Sequence, residues 1–446
     1  MIEIRCYHTL EEAAPYRQAI NALNLASARP DPFSTFEFYE NHLRYSPPLP
    51  AVEHSRLWLL LAFSGEELVG YAALKHGVHR VLGLRAAKVD WLTAHEADRP
   101  HLVARAEQAG PVGAALYAYL LGRKNEWSLL EFQQQDATSS LLSPPAGATS
   151  HGCRFLQWIN PVNGTIPVRW RSTAEYFAAL SKKSRSNVSR QMRSLLAAGE
   201  VQVLTSADPQ ALPTLFELCR SIEPHSWKSR TDASVGGERQ PVEYYTGLMD
   251  PAQPMRLVIQ VLLLNGVPVA GLINGAFNGG LYALHIVHDG RLDRLAPGSA
   301  ILLMGVRLAI EGGYAFFNLL RGSGYYKARW LAQLTDTRSL QIYRVGTPFF
   351  WRRALGDARR RWSGTAVAKA GVLFNPERRE LGAPAQEGAA SAWLPGPEER
   401  AEQAGRVAQA LRGPGEMLSA RQLAAVLPFA TQRPAPPAAE CAVANG

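Results

Sequence analysis

The sequence predicts an α/β (α+β) chain of two similar units, each a mixed, mainly antiparallel sheet flanked by helices, with a C-terminal tail outside both. Three observations predict this. The stretch Arg56–Leu74 (RLWLLLAFSGEELVGYAAL) reads strand, turn, strand, and Met255–Ala270 (MRLVIQVLLLNGVPVA) repeats that plan about 200 residues later. Each of these hairpins is followed by a helix-rich stretch. The length of 446 residues, 47% of them hydrophobic, exceeds one ordinary core and suits two or three domains.

Taken in order, the first unit spans residues 1–165. Gly65 and the pair Glu66–Glu67 form the turn of its hairpin, and Val69–Leu74 the returning strand. Trp127–Gln135 (WSLLEFQQQ) reads as a further strand and Pro144–Ser150 as a loop. The second unit spans 166–362 and opens with helical text from Arg171 to Gly199, capped by Ser172 or Thr173 and closed by Gly199. Ala211–Cys219 is a short amphipathic helix. Asn265–Gly266 is the hairpin turn, because Asn-Gly suits the turn that needs positive φ at both central residues. A second turn at Asn278–Gly280 leads to the strand LYALHIVHD. Pro297 and Gly298 then start a helix with apolar Ile301, Leu302, Met304, Val306, Leu308 and Ile310, ended by Gly312–Gly313. Residues 363–446 hold eight acidic and eight basic side chains, no Asp, and much Pro, Ala and Gly, which predicts a mostly disordered appendage.

Charged residues at 19% and aromatics at 9% exclude a disordered chain as a whole. The net charge of +9 therefore resides in residues 1–362, and it favours polyphosphate ligands, nucleic acid or an anionic membrane surface without choosing among them. Cys6, Cys153, Cys219 and Cys441 are far apart and form no C-x-x-C, so neither a zinc site nor a disulfide framework is expected. His285 and His288 differ by three, face opposite ways in a strand and predict no shared metal. The N-terminus lacks an apolar h-region and no apolar run approaches the ~20 residues of a membrane span. A cytoplasmic location is the expectation.

Four groups of residues carry candidate chemistry. A glycine opening a helix directly after a strand presents free backbone N–H groups and the positive end of the helix dipole, so Gly298 marks an anion site. Glu223, His225 and Lys228 surround Trp227 and could supply a general base, Glu223 the first choice and His225 the second. Lys327 follows Tyr325 and Tyr326 at a glycine turn, where a cation could stabilise an oxyanion or a phosphate, and Glu223 and Lys327 are expected to share one cleft. The bulk of Trp227 is expected to raise the pKa of Glu223. The acid-free run Lys182, Lys183, Arg185, Arg190 and Arg193 reads as a solvated face or a polyanion tract, and Arg352, Arg353, Arg359, Arg360 and Arg361 with Trp351 and Trp362 read as a basic amphipathic segment suited to peripheral membrane contact.

Over residues 20–345 several motifs occur in one order. FSTFEFYENH at Phe33–His42, LVGYAAL, VLGLRAAKVDWLT and WSLLEFQQQDATSSLL come first. LSKKSRSNVSRQMRSL, Ser226–Trp227–Lys228, NGVPVAG, APGSAILL and a glycine turn with Tyr-Lys-x-x-Trp at Gly324–Trp330 follow. In this order they resemble the BioF2-like (cellulose-biosynthesis type) acetyltransferase family, tandem folds of the GNAT superfamily distantly similar to the Fem peptidyltransferases. The resemblance implies an acyltransferase using acyl-CoA (acetyl-CoA) and no metal, with phosphates at Arg294, Pro297, Gly298, Ser299 and Ala300. It implies catalytic Glu223, Lys327, His225 and Tyr326, and Trp227, Lys228 and His285 toward the acceptor. The acceptor would be a small molecule, carbohydrate or peptide bearing an amine or, second, a hydroxyl, in envelope or exopolysaccharide metabolism; no DNA partner is implied. Two alternatives stay open: a Fem-like transferase using aminoacyl-tRNA, and a catalytically silent scaffold in polysaccharide assembly. The phosphate loop here has fewer glycines than is usual for GNAT, and the strand Phe316–Leu320 lacks the acid often found there.

Overall fold

The computed structural model describes residues 2–46, 52–93, 97, 99–145, 152–160, 163–230, 234–237, 241–321, 325–362 and 416–418. The chain begins with β1 (Ile2–Tyr7), α1 (Leu10–Ala13), α2 (Arg17–Ala26) and α3 (Phe36–Tyr45). Then come β2 (Val52–Ser64), β3 (Glu67–Val81), β4 (Leu84–Trp91), β5 (Val103–Ala104), α4 (Ala109–Gly122), β6 (Leu129–Asp136) and β7 (Cys153–Ile159). The second half runs β8 (Asn163–Pro167), α5 (Thr173–Ala179), α6 (Lys182–Ala197), β9 (Val201–Ser206), α7 (Leu212–Ile222), α8 (Val242–Leu248), β10 (Arg256–Leu264), β11 (Val267–Phe277) and β12 (Gly280–His288). It ends with α9 (Pro297–Glu311), β13 (Phe316–Asn318), α10 (Tyr325–Ala328), β14 (Gln333–Thr335), β15 (Thr337–Arg344), α11 (Pro348–Trp362) and β16 (Glu416–Leu418).

The duplication expected from the two hairpins is visible in strand register. In the first sheet β1, β2, β3 and β4 are antiparallel neighbours, and β4 is parallel to β6 after the crossover through α4. In the second, β9, β10, β11 and β12 are antiparallel neighbours, and β12 is parallel to β13 after α9. A parallel pair needs such a crossover, and each unit has one. The Asn265–Gly266 turn adopts positive φ at both residues, 54° and 78°, as its sequence predicts.

The units are not separated as a cut at residue 165 and another at 362 would have them. β15 inserts between β6 and β7 of the first sheet, although it follows the whole second sheet in sequence. β8, from the connection, closes the other side of β13. A common core then spans both halves: Phe36, Phe38, Leu59 and Phe63 from the first pack with Leu215, Phe216, Tyr245 and Ile259 from the second. Asn41 on α3 donates to the Tyr244 carbonyl on α8 at 3.0 Å, fixing one half on the other.

Two expectations change in detail. The helical text 171–199 forms two helices, because Leu180 turns extended and buries its side chain while Ser181 accepts from the Ser184 N–H and caps α6. Of the tail, only Glu416–Leu418 falls among the described residues, and these three pair with the edge strand β9, so this short part of the tail belongs to the second sheet.

Candidate active site

Helix α9 packs on one face of the second sheet and α7 on the other. Gly305 of α9 lies against Leu272 and Phe317, whereas Gly271 lies against Cys219 of α7. Between these layers, the parallel junction of β12 and β13 is short. Gly280, Leu281 and Tyr282 pair with Phe316, Phe317 and Asn318, and β12 then continues six residues to His288. No strand among the described residues borders it on that side from Ala283 onward. A row of main-chain N–H and C=O groups on that side of β12 is thereby left for a ligand.

The register of β11 and β12 slips within this stretch: Asn274 faces Ala283 and Ile273 faces His285, so Leu284 is an inserted residue. Such a bulge re-aims the side chains that follow it. His285 enters the α7 side, buried to 4% exposure, with the Tyr245 ring edge-on at 6.2 Å.

Beyond β12 the loop Asp289–Ala296 turns the chain into α9. Asp289 is buried, caps the loop through the Arg291 N–H and holds the Arg291 guanidinium at 2.6 Å. Ala296 sits at φ 52°, ψ 50°, a left-handed conformation that costs a non-glycine residue about 1–2 kcal/mol. This bend directs the first turn of α9 back at the end of β12. A Cβ on Gly298 would lie 2.9 Å from His288 Nδ1, so only glycine fits there without displacing the imidazole. The Ser299 and Ala300 N–H groups both reach back to the Ala296 carbonyl, at 3.0 and 3.2 Å, and no side chain caps the helix. A 15-residue helix with an uncapped start and a bare glycine is suited to an anion.

The polar group on the α7 side is a linear set. Glu223, 5% exposed at the end of α7, places Oε1 2.5 Å from His285 Nε2, and its Oε2 accepts from the Ser234 hydroxyl at 2.9 Å. Lys228 Nζ lies 3.4 Å from His285 Nδ1. An ammonium can only donate, so Nδ1 is the accepting nitrogen and the proton resides on Nε2, donated to Glu223. Burial, reinforced by the Lys228 charge, pushes His285 down to about 4 and keeps the ring neutral, against the raising effect of Glu223. Burial alone would raise the Glu223 carboxyl, but the bonds from His285 and Ser234 and the charge of Lys228 hold it below its usual value. The result is a neutral imidazole clamped between an anion and a cation.

The structure thus joins Glu223, Lys228 and His285 and sets the other expected residues apart. His225 is exposed and takes no part in the pair, although its carbonyl lies beside Gly290, so this turn touches the loop that leads to α9. Trp227 is 47% exposed, which leaves it unable to raise the Glu223 pKa by excluding water; that expectation is corrected by the lowered value. The shared cleft of Glu223 and Lys327 is corrected too. Lys327 has no exposed surface, lies against Gly164 on the α9 face of the sheet, and donates to the carbonyls of Leu319, at 2.9 Å, and Leu320, at 2.5 Å. Glu223 is on the α7 face. The Tyr326 side chain lies outside the described part of the structure. Arg294 is exposed on the loop before α9, whereas the Ala300 methyl is buried against Met192, Leu195 and Met304 on α6 and α9, leaving only main chain to offer a ligand.

Some of the site was not legible in the sequence. Ser234 lies eleven residues from Glu223 in a loop without pattern, Tyr245 is on another helix, and the bulge at Leu284 has no sequence marker. A cavity of about 300 Å³ lies between the halves, where the kinship with the Fem enzymes implies a cleft. Arg29, Phe33 and Arg99 line it from the first half and Tyr282, Phe316 and Asn318 from the second, so it reaches the last residues of the parallel junction. Among the described residues no cluster of three or more His, Cys, Asp or Glu could hold a metal, and no helix is long and apolar enough to cross a membrane.

Residues 182–328, about a third of the chain, match the family model described as an acetyltransferase (GNAT) domain. That span runs from α6 through α10 and contains Glu223, Lys228, His285 and Gly298. No curated protein matches the chain. Solved structures similar in fold include FemX, at 12% identity, covering 78% of this chain and 99% of that one with a TM-score of 0.47. A tandem GNAT protein from the clavulanic acid biosynthesis pathway aligns at 14% identity over 78% and 99%, TM-score 0.44. The C-terminal domain of a putative lysylphosphatidylglycerol synthetase from Agrobacterium fabrum aligns at 12% identity over 81% and 99%, TM-score 0.45. Within the second half, residues 182–328 are thus similar to the acetyltransferase (GNAT) domain family.

Proposed function

We propose that this protein transfers an acyl group from acyl-CoA, with acetyl-CoA the first donor to test, to an amine in preference to a hydroxyl. The single observation that carries the reading is the unladdered run Ala283–His288 ending beside the bare helix start at Gly298, a main-chain groove that leads to an anion site. The residues suit the donor. The start of α9 offers the Gly298 N–H and a favourable dipole beside His288, and Arg294 adds charge at the loop. The donor supplies an activated thioester carbonyl. The β12 main chain beyond Ala283 would hold and polarise it, which requires no side chain and accommodates the placement of Lys327 elsewhere.

The acceptor's proton is the remaining demand. His285 Nδ1 is the nitrogen able to receive it, once Lys228 yields its contact, and Glu223 then faces an imidazolium through Nε2–H and stabilises it. Glu223 in this account orients and charges the base instead of acting alone. Direct attack by the acceptor needs no covalent enzyme intermediate. The cavity between the halves, at the Tyr282–Asn318 end of the junction, would take the body of the acceptor, a small molecule, carbohydrate or peptide, and its lining of aromatic and amide side chains with charged Arg29, Asp31 and Arg99 fits such a ligand. This allots the first half an acceptor-shaping role. A BioF2-like place in envelope or exopolysaccharide metabolism is the pathway proposal that follows from the sequence motifs.

The test is calorimetry of the full chain with acetyl-CoA and longer acyl-CoAs. Binding that Gly298→Glu abolishes without unfolding supports the reading. No binding of any acyl-CoA by the wild type refutes it.

A further inference from the structure

One corner of the first half concentrates exposed apolar surface. Ten large hydrophobic side chains are exposed among the described residues, and five of them, Leu82, Leu84, Val345, Trp351 and Leu355, come from the β3–β4 turn, the β15–α11 turn and helix α11. These elements adjoin: α11 packs on β3, β4 and β15, and its Phe349 is buried with Val81, Ala86, Leu129 and Tyr343. The packing fixes which face of α11 looks outward. Trp351, Leu355 and Ala358 follow one another at four- and three-residue steps along that face, and exposed Arg352 and Arg359 border it. The one acid of the helix, Asp357, pairs with Arg353 at 2.9 Å, within the helix. Beside it the turn Leu82–Gly83–Leu84 stands out, with Leu82 53% and Leu84 62% exposed, between Arg80 and Arg85, which share Glu53 at 2.6 and 3.0 Å.

Apolar patches of this kind are uncommon on soluble monomers. We propose that this corner is a docking surface for an anionic membrane interface, with Trp351, Leu355 and the Leu82–Leu84 turn entering the headgroup boundary and Arg352 and Arg359 meeting lipid phosphates. Charge complementarity favours this occupant over a second copy of the chain, whose equivalent corner would bring arginines against arginines. The leucines favour it over nucleic acid, since a polyanion gains nothing from contact with Leu82, Leu84 or Leu355. The inference does not depend on the acyltransferase reading, because the patch is on the first sheet and away from β12.

The experiment is co-sedimentation of the full chain with vesicles of equimolar phosphatidylglycerol and phosphatidylcholine, and with phosphatidylcholine alone, at low and high salt. The expected result is binding to the anionic vesicles that falls with salt. Trp351→Glu and Leu84→Glu, on separate elements, should each weaken it at least about tenfold, which requires ~1.4 kcal/mol, within the burial energy of one such side chain. Arg352→Ala with Arg359→Ala should weaken it about thirtyfold, on the order of fivefold per arginine. Both glutamate positions are exposed, so melting should stay near wild type. No binding to the anionic vesicles, or binding that survives both glutamate substitutions, overturns the proposal. Capture of an RNA duplex in place of vesicles, unchanged in Trp351→Glu, overturns it as well and assigns the arginines to nucleic acid.

Discussion

Replacing Lys228 by methionine should change the protonation of His285 in a defined direction. The ammonium is 3.4 Å from Nδ1 and opposes any positive charge on the ring. Two unit charges at that distance in an effective dielectric of ~20 interact by about 5 kcal/mol at most, and solvent at the half-buried ammonium reduces this to the ~1–2 pH units typical of a neighbouring charge. In the wild type burial and Lys228 hold His285 at about 4, so the ring should stay neutral, with its proton on Nε2, down to that pH. In Lys228→Met the Glu223 carboxylate remains and one opposing charge is gone, so the titration should move up by about one to two pH units. The shift stops short of the ordinary 6.5, since burial persists. Nitrogen-15 NMR of the imidazoles reads both tautomer and titration without a substrate, with His285→Gln to assign the resonance. If an activity is established, the acid limb of kcat/KM should move with the NMR titration, because a base is lost as pH falls through its pKa. A wild-type His285 that titrates near 6.5, or one unaffected by Lys228→Met, refutes the proposed clamp.

Other expectations follow from the same geometry. Glu223→Gln keeps an acceptor for Nε2–H but removes the charge behind it, and should cost roughly 10²–10⁴ in rate in a thioester-cleavage assay with a turned-over acceptor, with the fold intact by circular dichroism. Lys327→Met strands the carbonyls of Leu319 and Leu320 on a buried turn and should cost about 1–3 kcal/mol for each left without a donor, read as a lower Tm; unchanged melting with lost activity would return Lys327 to the chemistry. Acid should destabilise the fold through His285. Its folded value of about 4 lies below 6.5, so between those values the unfolded chain binds the extra proton and stability falls as pH falls, by on the order of 3 kcal/mol in all. The lowered Glu223 adds to this in the same direction below 4.5, and urea unfolding at a series of pH values checks the sum.

The sequence by itself determined what local physics can encode. Asn265–Gly266 dictates its turn, since few other pairs accept positive φ twice, and the alternation of apolar strands around it announces the second sheet. Pro297–Gly298 marks a helix start, and the repeat of one plan in both halves announces the duplication later visible in the two parallel junctions, β4 with β6 and β12 with β13. Glu223, Lys228 and His285 were each identifiable as polar groups near candidate chemistry. Their partnership was not, because 62 residues and a bulge separate Glu223 from His285, and a slip of one residue decides which face a strand side chain occupies. Lys327 shows the converse. Its aromatic neighbours and glycine turn suggest a site, yet a side chain's depth depends on what packs over it, and Gly164, 163 residues away in the chain, lies over this one and buries it. The exchange of β15 into the first sheet was equally hidden: a short strand such as Thr337–Arg344 pairs wherever a suitable edge is open, and β6 and β7 supplied one that only the assembled fold could reveal.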